Sequence, residues 1–391
     1  MTKQTTEQTE QAGSAAQRRT PPLPGRRDPS DPQAIPTTAA GPSGENPGAA
    51  SAPESPAAQR RSGPLTDRKH LRTYVLVMSL LGLLAVGFTL AVIFYSNPTE
   101  FGSEGWWVIL QMRSESLLTI AVVALCHTMA TIAFQTAVNN RIITPGIMGF
   151  GSLYTAIQTG FVYVFGMAGV TMLVGVPQFF LQMAVMMLVA TVLYTWLLSG
   201  KFSNIHIMLL VGVVLGGTLG SLSNFMQRML TPSEFDVLTA RLFGNISNAR
   251  AEYLPYAIPI ALAVTAVLWL WGPRLNALSL GRTAATNLGL NHKREVIKIL
   301  ALVSILISMA TALVGPMMFL GFLTVMLAYQ CADTYSHRLL FPMGFLFGYT
   351  ILTGSYFILR HVWDAGGAVT VIVELIGGIA FLIFLLRKGR L

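Results

Sequence analysis

The side chains that could do chemistry are few and far apart. Six histidines, His70, His127, His206, His292, His337 and His361, are scattered along the chain, and only His127 falls in the middle of an apolar run. An ionisable side chain inside a membrane segment is a functional candidate by default. With no carboxylate nearby on its helical face, His127 reads first as a packed, hydrogen-bonded histidine and second as a functional one. Glu374 is the one carboxylate well inside an apolar run, where it either faces a pathway or bonds to a neighbouring helix. Cys126 and Cys331 have neither zinc-site nor CxxC spacing and read as small buried hydrophobes. There is no Gly-rich phosphate loop ending in Lys-Ser or Lys-Thr, no HExxH and no Cys/His cluster. The expectation is a chain with no catalytic residues, no metal, no cofactor and no nucleic-acid partner, which does not itself hydrolyse ATP through a phosphate loop.

Small residues are the other signal. Gly212, Gly216 and Gly220 recur every fourth position, on one face of a helix. Such a face lets helix backbones approach closely. Packing alone accounts for it; a smooth wall along a transport pathway is the alternative.

The elements that must position these residues lie in lipid. The 391 residues are 53% hydrophobic and only 11% charged, against roughly 25% charged in soluble domains. That excludes an ordinary soluble enzyme. Residues 1–67 differ: they hold 11 of the 20 prolines, no Phe, Trp or Tyr, and seven basic against seven acidic residues. Such a segment buries too little apolar area to offset its ordering entropy and is expected to be a disordered tail. Arg18-Arg19 and Arg26-Arg27 have no apolar region close behind, so no twin-arginine signal is read. The first spanning helix is expected to act as an uncleaved signal.

A spanning helix needs about 20 mostly apolar residues. Ten candidates follow the tail, at 71–96, 115–138, 146–166, 170–198, 206–228, 252–272, 295–314, 316–332, 339–359 and 368–387. The third starts after Pro145-Gly146, and the seventh and eighth are separated only by Gly315-Pro316, as in a broken helix pair. With both ends of the chain on one side, that side receives 14 of the 19 basic residues beyond the tail and the other receives 5, namely Arg113, Arg228, Arg241, Arg250 and Arg360. Basic residues favour the cytoplasm, so both termini are placed inside. The longest inside loop, 273–294, contains a short helix-like stretch from Leu280 to Leu288 that ends at Gly289. The longest outside loop is 229–251.

Four stretches carry a family resemblance. Asn139-Asn140-Arg141-Ile142-Ile143-Thr144-Pro145-Gly146-Ile147-Met148-Gly149 resembles an NPLAxPxxLG segment. Leu278-Ser279-Leu280-Gly281-Arg282, with Ala284-Ala285 and Asn287-Leu288-Gly289, resembles LSLGxxxAxxLG. Val314-Gly315-Pro316-Met317-Met318-Phe319-Leu320-Gly321 resembles AGPIGFVGL, and Val371 to Leu386 resembles GxxTxxxGxPxFxxLL. In that order they resemble the FecCD family, permeases of ATP-driven importers for iron chelates and vitamin B12. Phe134 to Arg141 is most similar to the second permease of catecholate or petrobactin-type siderophore importers of Gram-positive and some other bacteria. The family's PHxxR is absent, and its final Pro is replaced near Gly378-Ile379.

The resemblance implies an all-α, ten-helix permease of the type II importer fold over residues 68–391, multi-pass in the cytoplasmic membrane. It implies a second permease subunit, two cytoplasmic ATPase subunits, and an extracellular substrate-binding lipoprotein. It implies that Leu280, Gly281, Arg282, Ala284, Leu288 and Gly289 form the ATPase-coupling loop and that Arg113 and Arg360 meet carboxylates of the binding protein. Asn140, Pro145, Gly216, Gly220 and Glu374 are the candidates for the pathway, which would run between two permeases. A haem or cobalamin permease and a proton-coupled carrier are the rival readings.

Overall fold

The computed structural model describes residues 68–172, 175–199, 205–242, 246, 251–332, 334–362 and 369–388. The predicted tail, 1–67, lies outside the described residues, as do Lys201, Arg250 and Arg390 of the charge map. The described chain is helical throughout. The helices are α1 (Arg68–Phe94), α2 (Glu104–Ala137), α3 (Phe150–Met172), α4 (Val176–Ser199), α5 (Ile205–Gln227), α6 (Pro232–Leu242), α7 (Leu254–Leu270), α8 (Gly272–Leu278), α9 (Arg282–Asn287), α10 (His292–Val314), α11 (Leu320–Ala332), α12 (His337–His361) and α13 (Val369–Lys388). Each of the ten predicted spans falls on a helix. Seven of the described helices are long and apolar enough to cross a membrane, and Leu320–Ala332 and Val369–Phe384 are shorter apolar helices.

Some boundaries move, each for a local reason. The second span begins at Glu104, because Ser103 Oγ accepts from the Trp106 N–H and caps the helix there. Arg113 is therefore inside α2 and not in a loop. The third span is preceded by a 3₁₀ turn at Pro145–Met148 and runs to Met172 across a non-helical residue at Gly166. The fourth starts only at Val176, after Gly175 in a left-handed conformation. The outside loop forms α6, at whose start the Thr231 N–H and hydroxyl both donate to the Glu234 carboxylate. The Thr231 backbone N–H holds the Glu234 carboxyl below its usual range.

The core is organised on α2. Most of its apolar length is buried, whereas α1 is largely exposed on its own. It packs against α10, α12, α7 and α11, while α5 packs on α3, α4 on α10, and α1 on α12. Loop contacts sort into two ends. At one end Tyr74 of α1 bonds the Leu339 carbonyl, His337 bonds Asn276, and Gly281 approaches Asn139. At the other, Tyr95 meets His361, and Gly166 lies near Glu234. These two groups match the two sides the alternating spans require.

Close packing sets the α3–α5 contact. A Cβ on Gly216 would lie 2.9 Å from the Gly149 Cα, and one on Gly212 would lie 2.9 Å from the Met148 Cε. Gly217 has open space around it. Gly216→Ala should therefore lower stability by about 1–3 kcal/mol, while Gly217→Ala should leave it level or raise it by a few tenths. Thermal unfolding of the purified protein in detergent checks the contrast; equal losses for both would contradict it.

Candidate functional site

Three regions carry the candidate residues, and two breaks in helical backbone make the first. The 3₁₀ turn at Pro145–Met148 meets the non-helical stretch 315–319 between α10 and α11. With 13 residues, α11 rises about 20 Å, short of the roughly 30 Å hydrocarbon layer. Free backbone groups between two apolar helices must find partners in the protein where lipid is the alternative. Here they do. Glu374 of α13 accepts from the Met318 N–H at 2.5 Å and the Phe319 N–H at 3.3 Å. The Thr144 hydroxyl donates to the Met318 carbonyl at 3.4 Å. Cβ atoms on Gly146 and Gly377 would lie 2.9 Å from the Met318 Cα and 2.6 Å from the Phe319 Cβ, so both positions exclude a side chain. The Met318 side chain itself is exposed.

Of the pathway candidates, Pro145, Gly216 and Glu374 converge on this junction. Gly220 lies farther along α5 and faces Ser152. Glu374 is an acceptor for backbone, not a free carboxylate in a lumen. Gly216 is buried against α3, so its face is packing; the open face of α5 carries Val214, Gly217, Thr218 and Ser221. Sequence reasoning missed these. The signal was present, since Thr218 and Ser221 follow the glycines at helical spacing, but the period alone does not say which face is open. Their hydroxyls bond back to the Val214 and Gly217 carbonyls, which keeps the exposed surface polar without unpaired groups.

The second region is the loop from α8 to α10. Gly281 (φ 91°) starts α9 and Gly289 (φ 84°) ends it. The end is a Schellman motif: Gly289 N–H donates to Thr286 and Leu290 N–H to Ala285. Asn291 then caps α10 through Arg294 N–H. The predicted stretch from Leu280 to Leu288 is α9, and a second short helix, α8, precedes it. Ala285 is buried and anchors α9, while Leu280 (65% exposed) and Leu288 (62% exposed) project outward. Arg274 and Lys298 pair with Glu295 at 3.6 and 3.0 Å. Arg282 and Ala284 lie on α9 itself. Asn140, beyond the end of α2, shares a polar cavity of about 420 Å³ with Arg141, Ser279 and His337. Its Oδ1 accepts from the Ile142 N–H. The Arg141 guanidinium lies 4.6 and 4.9 Å from the Tyr329 and Tyr335 ring centres.

The third region is at the opposite end. Arg113 and Arg360 line one cavity of about 220 Å³. They are not equivalent. Arg113 is 7% exposed and donates to the Val92, Ile93, Tyr95 and Ser96 carbonyls, so it caps the end of α1. Its guanidinium is committed to the end of α1, at the same end of the bundle as Arg360. Arg360 is exposed and donates to the Tyr356 hydroxyl. His127 is buried in α2, with no partner for Nε2 among the described residues. No cluster of metal-ligating side chains occurs among the described residues.

Removing the Glu374 acceptor should loosen the junction. Glu374→Leu leaves two N–H groups without their acceptor, a cost of about 1–3 kcal/mol each, and should raise amide exchange at Met318 and Phe319. Glu374→Gln keeps an acceptor oxygen and should stay near wild type. Hydrogen–deuterium exchange checks this; unchanged protection in the Leu variant would contradict the capping role.

Residues 73–388 match the model of the FecCD transport family. The chain is 42% identical over 332 residues to the petrobactin import system permease protein FatC of Bacillus anthracis, covering 85% of this chain and 94% of that one. It is 36% identical to the petrobactin import system permease protein YclO of Bacillus subtilis, over 73% of this chain and 90% of that one. Its fold is similar to that of a metal-chelate type ABC transporter in an inward-facing conformation, with a TM-score of 0.64 and 20% identity, covering 80% and 99% of the two chains.

Proposed function

The chain belongs to the FecCD transport family, and from that premise we propose that it is a permease subunit of an ATP-driven importer of iron–siderophore complexes of the petrobactin kind. The observation that carries the reading is the 42% identity to a petrobactin permease across nearly that protein's whole length. The chain is a membrane transport component; hydrolysis falls to two ATPase subunits on the cytoplasmic side. A second permease completes the pathway, and an extracellular binding protein delivers the substrate. Both termini are cytoplasmic, by the distribution of basic residues, in the cell membrane of a Gram-positive bacterium by analogy with the Bacillus relatives. Residues 1–67 are a dispensable tail and 68–391 the permease domain.

In this reading Leu280 and Leu288 are two apolar knobs on a basic surface, inserted into a groove of the ATPase, with Gly281, Arg282, Ala284 and Gly289 shaping the helix between them. Closure of the ATPase pair on nucleotide displaces α8–α9 and shifts the permease between its access states. Arg360 is the docking arginine, and Arg113 steadies the end of α1 beneath it. The pathway wall is the junction of Pro145, Met318 and Glu374 together with the hydroxyl face of α5, and Asn140 stands at its cytoplasmic mouth. The rival proton-coupled carrier requires a carboxylate free to titrate in the pathway; Glu374 instead accepts two backbone N–H groups.

Deleting the gene should abolish uptake of radiolabelled ferric petrobactin, restored by the wild-type chain and by one lacking residues 2–64. Unimpaired uptake in the deletion strain would overturn the assignment. Leu280→Asp or Leu288→Asp should place a charge in an apolar contact, costing several kcal/mol, and the ATPase should no longer co-purify. Arg360→Glu should weaken binding-protein docking about tenfold at low salt, with a smaller loss at high salt. Co-purification and docking titrations read these; wild-type behaviour in all three variants would reject the assigned contacts.

A further inference from the structure

One buried polar chain joins the coupling segment to the middle of the bundle. His337, at the start of α12, is 1% exposed. Its Nδ1 lies 2.6 Å from the Asn276 Oδ1 of α8, and its backbone N–H donates to the same oxygen at 3.0 Å. Its Nε2 lies 2.7 Å from the Thr136 hydroxyl in the last turn of α2. Because Asn276 presents an oxygen to both groups, Nδ1 must be the donor. The Thr136 hydroxyl has one proton and two acceptors in reach, Nε2 and the Ile132 carbonyl at 2.9 Å, so a neutral ring accepts at Nε2 when that proton turns to it. The imidazole is thus used at both ends, and it fits only while α2, α8 and α12 keep one mutual arrangement.

We propose that His337 is a positioning residue for energy coupling, tying Asn276 of the coupling segment to Thr136 of the central helix so that displacement of the loop moves α2 and α12 together. The inference rests on the permease reading above and adds a joint to it. Apolar contacts in the same region, through Leu275, Leu278 and Ala285, hold α8 and α9 against the core but are non-directional and can slide. Two hydrogen bonds through one rigid ring cannot slide without breaking. The setting also limits relaxation: Phe341 packs edge-on against the imidazole at 5.9 Å, and a Cβ on Gly272 would meet the Arg338 Cγ at 3.2 Å. The last turn of α2 leads directly into Asn139, held left-handed at φ 49°, and on to the Pro145 turn of the junction. Movement delivered at Thr136 therefore reaches the pathway wall along a short, ordered segment.

The test uses the complete transporter, with its ATPase and binding protein, in liposomes. Basal ATP hydrolysis, its stimulation by loaded binding protein, and radiolabelled ferric petrobactin taken up per ATP are measured. A wild-type complex that is not stimulated would defeat the permease reading, independently of the joint. Given stimulation, Thr136→Val and Asn276→Ala should each leave the complex assembled and lower uptake per ATP by about tenfold, the equivalent of one broken polar link. The double variant should be no worse than either single one, because either break interrupts the same chain. His337→Gln, which retains a donor and an acceptor, should recover more coupling than His337→Ala. Wild-type uptake per ATP in both single variants, or losses that multiply in the double, would overturn the proposal. If His337→Ala fails to assemble, the Thr136 and Asn276 variants decide it.

Discussion

A peptide group that leaves the helix at membrane depth must bond to the protein, because lipid offers it nothing. The peptide groups around Met318 meet this condition twice, donating to Glu374 and accepting from Thr144. Much else depends on those bonds. They satisfy the five-residue turn that joins α10 to α11. They fix α13, through Glu374, to the same turn, and they fix the segment that precedes α3. The glycines at 146, 149, 216 and 377 then read as consequences, since each sits where another segment comes too close for a side chain. At Gly146 and Gly216 the junction packs backbone against backbone, and its hydrogen bonds come from the Glu374 and Thr144 side chains.

How much of this was legible in the sequence depended on the range of the interaction. Spans are local: each of the ten apolar runs became a helix because 20 apolar residues leave few other options in lipid. The short helix α9 was legible too, since Gly281 and Gly289 act on their own neighbours. The face of α5 was not. Gly216 and Gly217 are adjacent in sequence and opposite in role, and only contact with Gly149 tells them apart. Arg113 looked like a loop arginine because the cap at Ser103, which starts α2 eleven residues earlier than expected, is a short polar signal beside an apolar run of aromatics. Glu374 was noticed as costly at its position, but its partners lie 56 and 55 residues away. His337 left less trace still. It stands at a span end, and its partners are 61 and 201 residues distant.

The two kinds of joint have complementary mechanics. At the junction, close glycine contacts and the Glu374 and Thr144 hydrogen bonds tie the segments before α3 and α11 to α5 and α13. At the other end the link runs from side chain to side chain, through Asn276, His337 and Thr136. In the proposed transport cycle, the end that takes the ATPase stroke shifts while the wall that faces the solute keeps its shape. The exposed Met318 side chain sits on the rigid part, held from behind by Glu374 and Thr144. In the proposed cycle, repositioning of that side chain toward a permeating complex comes from rotation of the whole cluster, driven from the ends of α2 and α12.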